Sequence, residues 1–194
     1  MSIVAKKLVT REKILQSAFE LVRKEGAMAL SVRAIAKVCN CSTQPIYLSF
    51  KSIEEIKDEV YKMGLQFFYE YMLTMVARNE YPEYKSIGMA YVKFAHEESE
   101  LFRYLFMTKP RTDYGSVDAS FETSVEVIKK NLKISEEAAR KLHIEMWIFG
   151  HGIATMYLTN YIDFDLNTVS DMYRDVFIGL TKYLGVELGV KNDN

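Results

Sequence analysis

The chain has 194 residues, of which 49% are hydrophobic and 26% charged, enough apolar material for a sizeable core. Its formal net charge of -1 argues against a uniformly basic polyanion binder, but residues 1–62 carry eleven Lys/Arg against seven Asp/Glu and residues 63–194 fourteen against nineteen. Cys39 and Cys41 cannot build a disulfide framework, and neither a signal-peptide pattern nor an uncharged run of membrane-spanning length occurs, so a cytoplasmic protein is expected.

Glycine and proline are scarce and apolar residues recur at three- and four-residue spacing, so an all-α fold is expected. A first helix is predicted from Thr10 as cap to Gly26 as stop, with Ile14, Leu15, Ala18, Phe19, Leu21 and Val22 on one stripe. Ser31 caps a short second helix carrying Val32, Ile35, Ala36 and Val38, and Asn40 suits the tight turn that ends it. In that turn the two cysteines read as buried residues, with a redox switch as the alternative. Ser42 is expected to cap a third helix, stiffened by Pro45, with Ile46 and Phe50 inward and Tyr47, Leu48 and Ser49 more exposed.

Ser52 and Glu55 form a capping box for a long fourth helix running from Ile53 towards Arg78, about 40 Å at 1.5 Å per residue. Asn79-Glu80-Tyr81-Pro82 breaks it. Helical patterns follow over 84–97 and 100–107, a loop over 108–116, and three more helices over 117–131, 136–161 and 168–188, with Ser135 and Asn167 as caps and a frayed tail over 191–194. The acids Glu97, Glu98 and Glu100 read as a solvated helix edge.

Residues 31–50 have the layout of a helix-turn-helix, whose second helix can enter the major groove with its leading residues against base edges. Thr43 and Gln44 are candidate base readers: Gln can engage adenine bidentately, and Thr offers a hydroxyl and a methyl. Ser49 and Leu48 lie within reach, the latter suited to a thymine methyl. Tyr47, Ser31, Arg33, Ser42 and Lys51 suit phosphate oxygens, and Lys6 and Lys7 could form a basic arm. An ordinary core helix over 42–50 is the competing reading.

Arg11, Ile14-Leu15, Ala18, Gly26, Ser31, Ile35-Ala36, Ser42, Ile46-Tyr47, Phe50 and Lys51 together resemble the tetracycline-repressor-like (TetR/AcrR) family. That resemblance implies a three-helix DNA-binding head, a fourth helix leading to a ligand domain, and homodimers on palindromic operators. It implies phosphate contacts for Tyr47, Lys51, Ser31 and Ser42, and groove-facing positions for Thr43, Gln44, Leu48 and Ser49. Two positions depart from the family pattern: Ile53 stands where a backbone-contacting lysine is usual, and Asn40-Cys41 where glycine-valine is commonest. The expected organisation is a helix-turn-helix DNA-binding domain over 1–52 and a larger helical ligand-sensing and dimerisation domain over 53–194.

The second region is rich in aromatic residues and methionine, as a large apolar pocket needs, although most such residues must be core. Pocket candidates are Phe68, Tyr91, Phe94, Phe102, Phe106, Phe121, Trp147 and His151. Trp147, with His151-Gly152, resembles the motif of the Trp-His-Gly (WHG) subgroup, which implies close helix contact at Gly152 and a core or pocket position for His151. Dimer-interface candidates are Ile148 and Met156 on one helix and Val169, Tyr173, Phe177, Leu180 and Leu184 on the next, with satisfaction inside one protomer as the alternative. The resemblance implies that these helices pair with their symmetry mates.

His96, His143 and His151 show no metal-ligand spacing, and no zinc, phosphate-loop or nucleophile motif occurs, so neither an enzyme, a metal site nor a cofactor is expected. The expected partners are double-stranded operator DNA, a second copy of the chain and a small apolar or amphipathic effector, with no membrane. The expected function is effector-released repression. A ligand-dependent activator and a helical protein-interaction domain without DNA binding are the alternatives.

Overall fold

The computed structural model describes residues 9–111, 117–161 and 164–186, so Lys6, Lys7 and the tail over 191–194 lie outside the described residues. Among the described residues the chain forms nine α-helices: α1 (Arg11–Glu25), α2 (Val32–Val38), α3 (Gln44–Ser49), α4 (Ile53–Ala77), α5 (Glu83–Glu97), α6 (Ser99–Phe106), α7 (Val117–Leu132), α8 (Glu136–Leu158) and α9 (Leu166–Tyr183). The fold is all-α, with an N-terminal helix-turn-helix and a larger helical bundle.

Local chemistry accounts for the helix boundaries. Thr10, Ser31 and Ser135 cap α1, α2 and α8 by accepting the amides of Lys13, Ala34 and Ala138, each at 3.2 Å. The cap expected of Ser42 does not form: α3 starts one residue later, behind Thr43. A Ser42 cap would draw on the amide three residues on, and that residue is Pro45, which has none. Asp165, not Asn167, caps α9, accepting the amides of Asn167 at 2.9 Å and Thr168 at 3.0 Å. A carboxylate is the stronger acceptor for two converging amides.

Helix ends shorten two predictions. Asn160 adopts a left-handed φ of 52° and stops α8 at Leu158, while Tyr161 N–H returns to Met156 C=O at 3.1 Å. Gly185 (φ 70°) stops α9 at Tyr183 in the same way, and residues 187 and 188 of the expected helix lie outside the described residues. A short 3₁₀ turn, Ala27–Ala29, links α1 to α2 and carries Met28, which is 98% exposed.

Packing divides the chain into two units, and the division does not fall between residues 52 and 53. One unit comprises the chain through Phe67 together with α6 and the residues after it. The other comprises the chain from Phe68 through α5, and α7 to α9. Phe67 and Phe68 are both inside α4, so this helix contributes to each.

In the first unit, Ile14, Ala18 and Val22 of α1, Ile35 of α2, Ile46 of α3, Ile56, Val60 and Tyr61 of α4, and Leu101 and Phe102 of α6 are all at most 1% exposed. The segment bearing α6 belongs here for specific reasons. Gly64 lets Leu101 and Leu105 approach α4 so closely that a Cβ there would lie 2.9 Å from Leu105 Cδ2. Tyr61 donates to Leu105 C=O at 3.1 Å, and Tyr104 to Lys57 C=O at 2.7 Å. Glu98 is not a solvated edge: it forms a two-point ion pair with Arg23, whose guanidinium also lies over the Phe67 ring at 4.6 Å.

In the second unit α5 is the central helix, packed against α7, α8 and α9. Its core includes Met89 and Val92 of α5, Val125 and Ile128 of α7, Leu142, Met146 and Ile153 of α8, and Val169 and Tyr173 of α9. A second cluster, Met72, Met75, Ile87, Ala90 and Val127, joins α4 and α7 to the other side of α5.

Candidate nucleic-acid interface and aromatic core

Helix α3 has two unlike faces. Ile46 and Phe50 are 1% and 3% exposed and anchor it, whereas Tyr47 and Leu48 are 64% and 81% exposed. Gln44, three and four residues before them, is exposed on the same side, and Thr43 and Ser49 are half-buried. An exposed leucine and tyrosine flanking an exposed glutamine, on a helix this short, form a surface that packing inside the unit does not explain.

Ser31, Arg33, Ser42 and Lys51 are exposed, as is Lys37 of α2. Ser31 Oγ accepts the Ala34 amide, which leaves its O–H free to donate. Behind the face, Glu55 of α4 accepts the Lys51 amide at 2.8 Å and the Arg11 guanidinium at 2.9 Å. The expected box is thus made one residue further back than Ser52, whose Oγ takes the Glu55 amide at 3.2 Å. The Lys51 amide, first among the causes, and Arg11 hold the Glu55 carboxyl below its ordinary range. Arg11 also covers the Phe50 ring at 4.2 Å. One carboxylate thereby ties the start of α1 to the exit from α3 and the entrance to α4.

The eight pocket candidates separate into three groups. Phe102 and Phe106 meet at 4.9 Å with their rings tilted by 55° within the first unit. Phe68, Tyr91 and Phe94 come together in the second: Phe68 meets Tyr91 at 5.8 Å and Phe94 at 5.0 Å. Tyr91 hydroxyl and His151 Nδ1 share a hydrogen bond at 2.9 Å, and Trp147 lies 6.5 Å from the His151 ring. Phe121 sits elsewhere, edge-on to His143 at 4.6 Å.

Tyr84 and His143, a pairing that the sequence analysis does not contain, form a second pair of the same kind, also at 2.9 Å. The two tyrosines are seven residues apart on α5 and the two histidines eight apart on α8, so both pairs bridge the same helix interface. Burial holds His143 down to about 4, opposed by the nearby Glu122 charge, and lowers His151 by the same desolvation. Both tyrosine hydroxyls are driven well above their ordinary range by burial.

Tyr173 of α9 lies on Gly88 of α5 and Gly150 of α8, where a Cβ would overlap its ring and hydroxyl. The close-approach glycine of α8 is therefore Gly150. Gly152, to which the motif pointed, has nothing within 4 Å of its Cβ position. Val169 and Tyr173, at 0% and 4% exposure, are held in the protomer's own core and leave no surface for a partner. Phe177, Leu180 and Leu184 are half-buried against the same core, while Ile148 (63%) and Met156 (37%) are exposed. A shallow groove of about 590 Å³ on α8 is lined by Glu136, Glu137, Arg140, Lys141, Ile144 and Glu145, none of them a pocket candidate.

Among the described residues no group of three or more His, Cys, Asp or Glu could hold a metal ion, and no helix is long and apolar enough to cross a membrane.

Comparison with known proteins places both parts of the chain. Residues 14–60 match the model for bacterial regulatory proteins of the tetR family, and residues 84–176 match the tetracyclin repressor-like C-terminal domain, together more than half of the chain. No curated protein matches the sequence. Among solved structures, a protein of unknown function from Rhodococcus sp. RHA1 is similar at 20% identity and TM-score 0.71, over 86% of this chain and 92% of that one. A TetR-like transcriptional regulator from Rhodococcus sp. RHA1 is similar at 16% identity and TM-score 0.63, over 90% and 95% of the two chains. NalD, the secondary repressor of the MexAB-OprM multidrug efflux pump in Pseudomonas aeruginosa, is similar at 13% and 0.58, over 93% and 97%. At these identities the likeness is one of fold. With the helix-turn-helix and the helical bundle each matched to the corresponding family model, the chain belongs to the TetR family of bacterial regulatory proteins.

Proposed function

We propose that this protein is a ligand-responsive transcriptional repressor that binds a palindromic operator as a homodimer and is released by a small apolar or amphipathic effector. The observation that carries the reading is the solvent-facing Gln44, Tyr47 and Leu48 surface on a helix pinned from behind by Ile46 and Phe50. Thr43 and Gln44 read base edges, Leu48 and Ser49 extend the contact, and Tyr47, Ser31, Arg33, Ser42 and Lys51 grip phosphates. Lys6 and Lys7 add a basic arm.

The effector engages the Phe68, Tyr91, Phe94, Trp147 and His151 group. This group combines apolar rings with the hydrogen-bonding pair of Tyr91 and His151, as an amphipathic ligand requires. Exposed Ile148, Gly152 and Met156 on α8, and Gly179 and Tyr183 on α9, supply the dimer face. The chain passes between its two units three times, inside α4, after Glu97 and after Tyr114, so a rearrangement of the aromatic group has three covalent routes to the DNA-reading unit. Only a difference in effector affinity between two head spacings can shift operator binding; a full switch from 1:99 to 99:1 needs about 5.5 kcal/mol.

The test is fluorescence anisotropy of the full chain on its own upstream DNA across a salt series. Gln44→Ala is expected to lose discrimination at one position by about 1–3 kcal/mol. Tyr47→Ala is expected to weaken binding to every duplex alike. Equal effects of both variants on all sequences would overturn the assignment of roles.

A further inference from the structure

We propose that Cys39 and Cys41 are a redox-active dithiol in the turn before α3, which a two-electron oxidant of the peroxide class closes into a disulfide that displaces α3. The expected loss of DNA binding rests on the reading of α3 given above. The dithiol chemistry stands on the turn alone.

Cys39 is the C-cap of α2, donating to Ile35 C=O at 2.8 Å. Asn40 follows in a left-handed conformation with φ 51°. Its amide returns to Lys37 C=O at 3.2 Å, and the Cys41 amide to Ala36 C=O at 3.0 Å. These are the two bonds of a Schellman ending, with the cysteines on either side of its left-handed residue.

That conformation sets the span between them. A residue of helical curl, of either hand, holds its neighbours' Cα atoms about 5.4 Å apart, from a 2.3 Å radius and a 1.5 Å rise. An extended residue would hold them about 6.7 Å apart. Disulfides favour roughly 5.5–6 Å, so the turn supplies the required span. Both cysteines are half-buried, not enclosed as turn residues of a core would be, and so an oxidant can reach them.

The reaction balances without a cofactor. One thiolate attacks a peroxide oxygen and the O–O bond breaks, giving a sulfenic acid and, after protonation, water. The second thiol displaces the sulfenic hydroxyl as another water while the S–S bond forms. Two sulfurs together lose two electrons, and one hydrogen peroxide becomes two waters. Closure requires side-chain rotation within a very small ring and strains the turn. Strained, accessible disulfides are the readily reduced ones, so this bond is a switch that cellular thiols reopen.

The consequence for α3 is direct. Cys41 stands three residues before Gln44, and its amide bond to Ala36 clips the approach of α3 to α2. Side chains two residues apart on a helical curl do not face each other, so bringing the two sulfurs to bonding distance twists the backbone at Cys41, tilts that bond and turns the Gln44 face away from its set angle.

The test treats the reduced full chain with stepwise hydrogen peroxide, then alkylates the remaining thiols for peptide mass analysis, with anisotropy in parallel on a duplex that the reduced chain selects from a randomised pool. The expected result is loss of two hydrogens from the peptide holding both cysteines, restored by dithiothreitol, with DNA affinity falling about tenfold or more and recovering together with it. Cys39→Ser and Cys41→Ser, with Cys39→Ala as a second replacement, should bind DNA when reduced and keep that affinity through the same treatment. Two alkylatable thiols after oxidant, a disulfide between chains, or oxygen addition in place of hydrogen loss would each overturn the dithiol. Disulfide closure with unchanged affinity would overturn the switch. If the reduced wild type selects no duplex, the reading of α3 fails, and the mass measurement still decides the dithiol.

Discussion

The Glu55 carboxylate accepts the Arg11 guanidinium at 2.9 Å, joining the first residue of α1 to the first turn of α4. The same carboxylate holds the Lys51 amide. Glu55→Gln should therefore lower the melting temperature at neutral pH and weaken DNA binding, although Glu55 is remote from the exposed face. Its carboxyl is held below the ordinary 4.5, so its stabilisation is complete above that value and is lost as pH falls through the depressed one. Melting curves of wild type and variant should converge on acidification. A gap that widened towards acid would contradict this role.

Gly150 and Gly152 make a matched pair on α8. Alanine at 150 must displace Tyr173 and should cost roughly 2–3 kcal/mol in urea unfolding. Alanine at 152 meets nothing in the protomer, and its better helix propensity should keep the effect within about 1 kcal/mol. Equal losses at both positions would show that Tyr173 is not seated as described.

His143 should give stability a pH dependence of its own. Its folded value of about 4 lies below the ordinary 6.5, so the neutral ring contributes fully above 6.5 and the contribution disappears as pH falls towards 4. The loss over that window is up to about 3 kcal/mol. His143→Phe should flatten this part of the stability profile. An NMR titration of the ring in the folded protein should show no protonation near 6.5.

These cases also show what a single chain of letters can convey. Helix periodicity, Thr10, Ser31 and Ser135 as caps, and the inward Ile46 and Phe50 are local properties, and they were legible. The missed cap at Ser42 was local too: Pro45 removes the amide that the cap requires. Non-local facts were beyond reach. Nothing in the spacing of Glu98, Leu101 and Tyr104 says that they pack with α1 and α4, or that Tyr84 meets His143 across 59 residues. Periodicity marked Val169 and Tyr173 as apolar-face residues, but only their burial shows that the face is closed within one protomer. The seven- and eight-residue spacings of the tyrosines and histidines were the available clue to the paired seam.

The exposed face of α8 gives a fourth expectation. Ile148→Glu, at a side chain 63% exposed, should leave the circular dichroism unchanged and convert a homodimer to monomer in analytical ultracentrifugation. Met156→Glu should act in the same direction. A chain that sediments as the same species with and without Ile148→Glu would place the dimer contact elsewhere.

The most direct measurement is selection of duplexes from a randomised pool by the full chain and by Gln44→Ala. The wild type should enrich a palindrome whose half-sites lie one helical turn, about 34–36 Å, or a multiple of it apart, and Gln44→Ala should relax one symmetric pair of positions within it. A wild-type pool with no enriched sequence, or an enriched palindrome left unchanged by Gln44→Ala, would contradict the account.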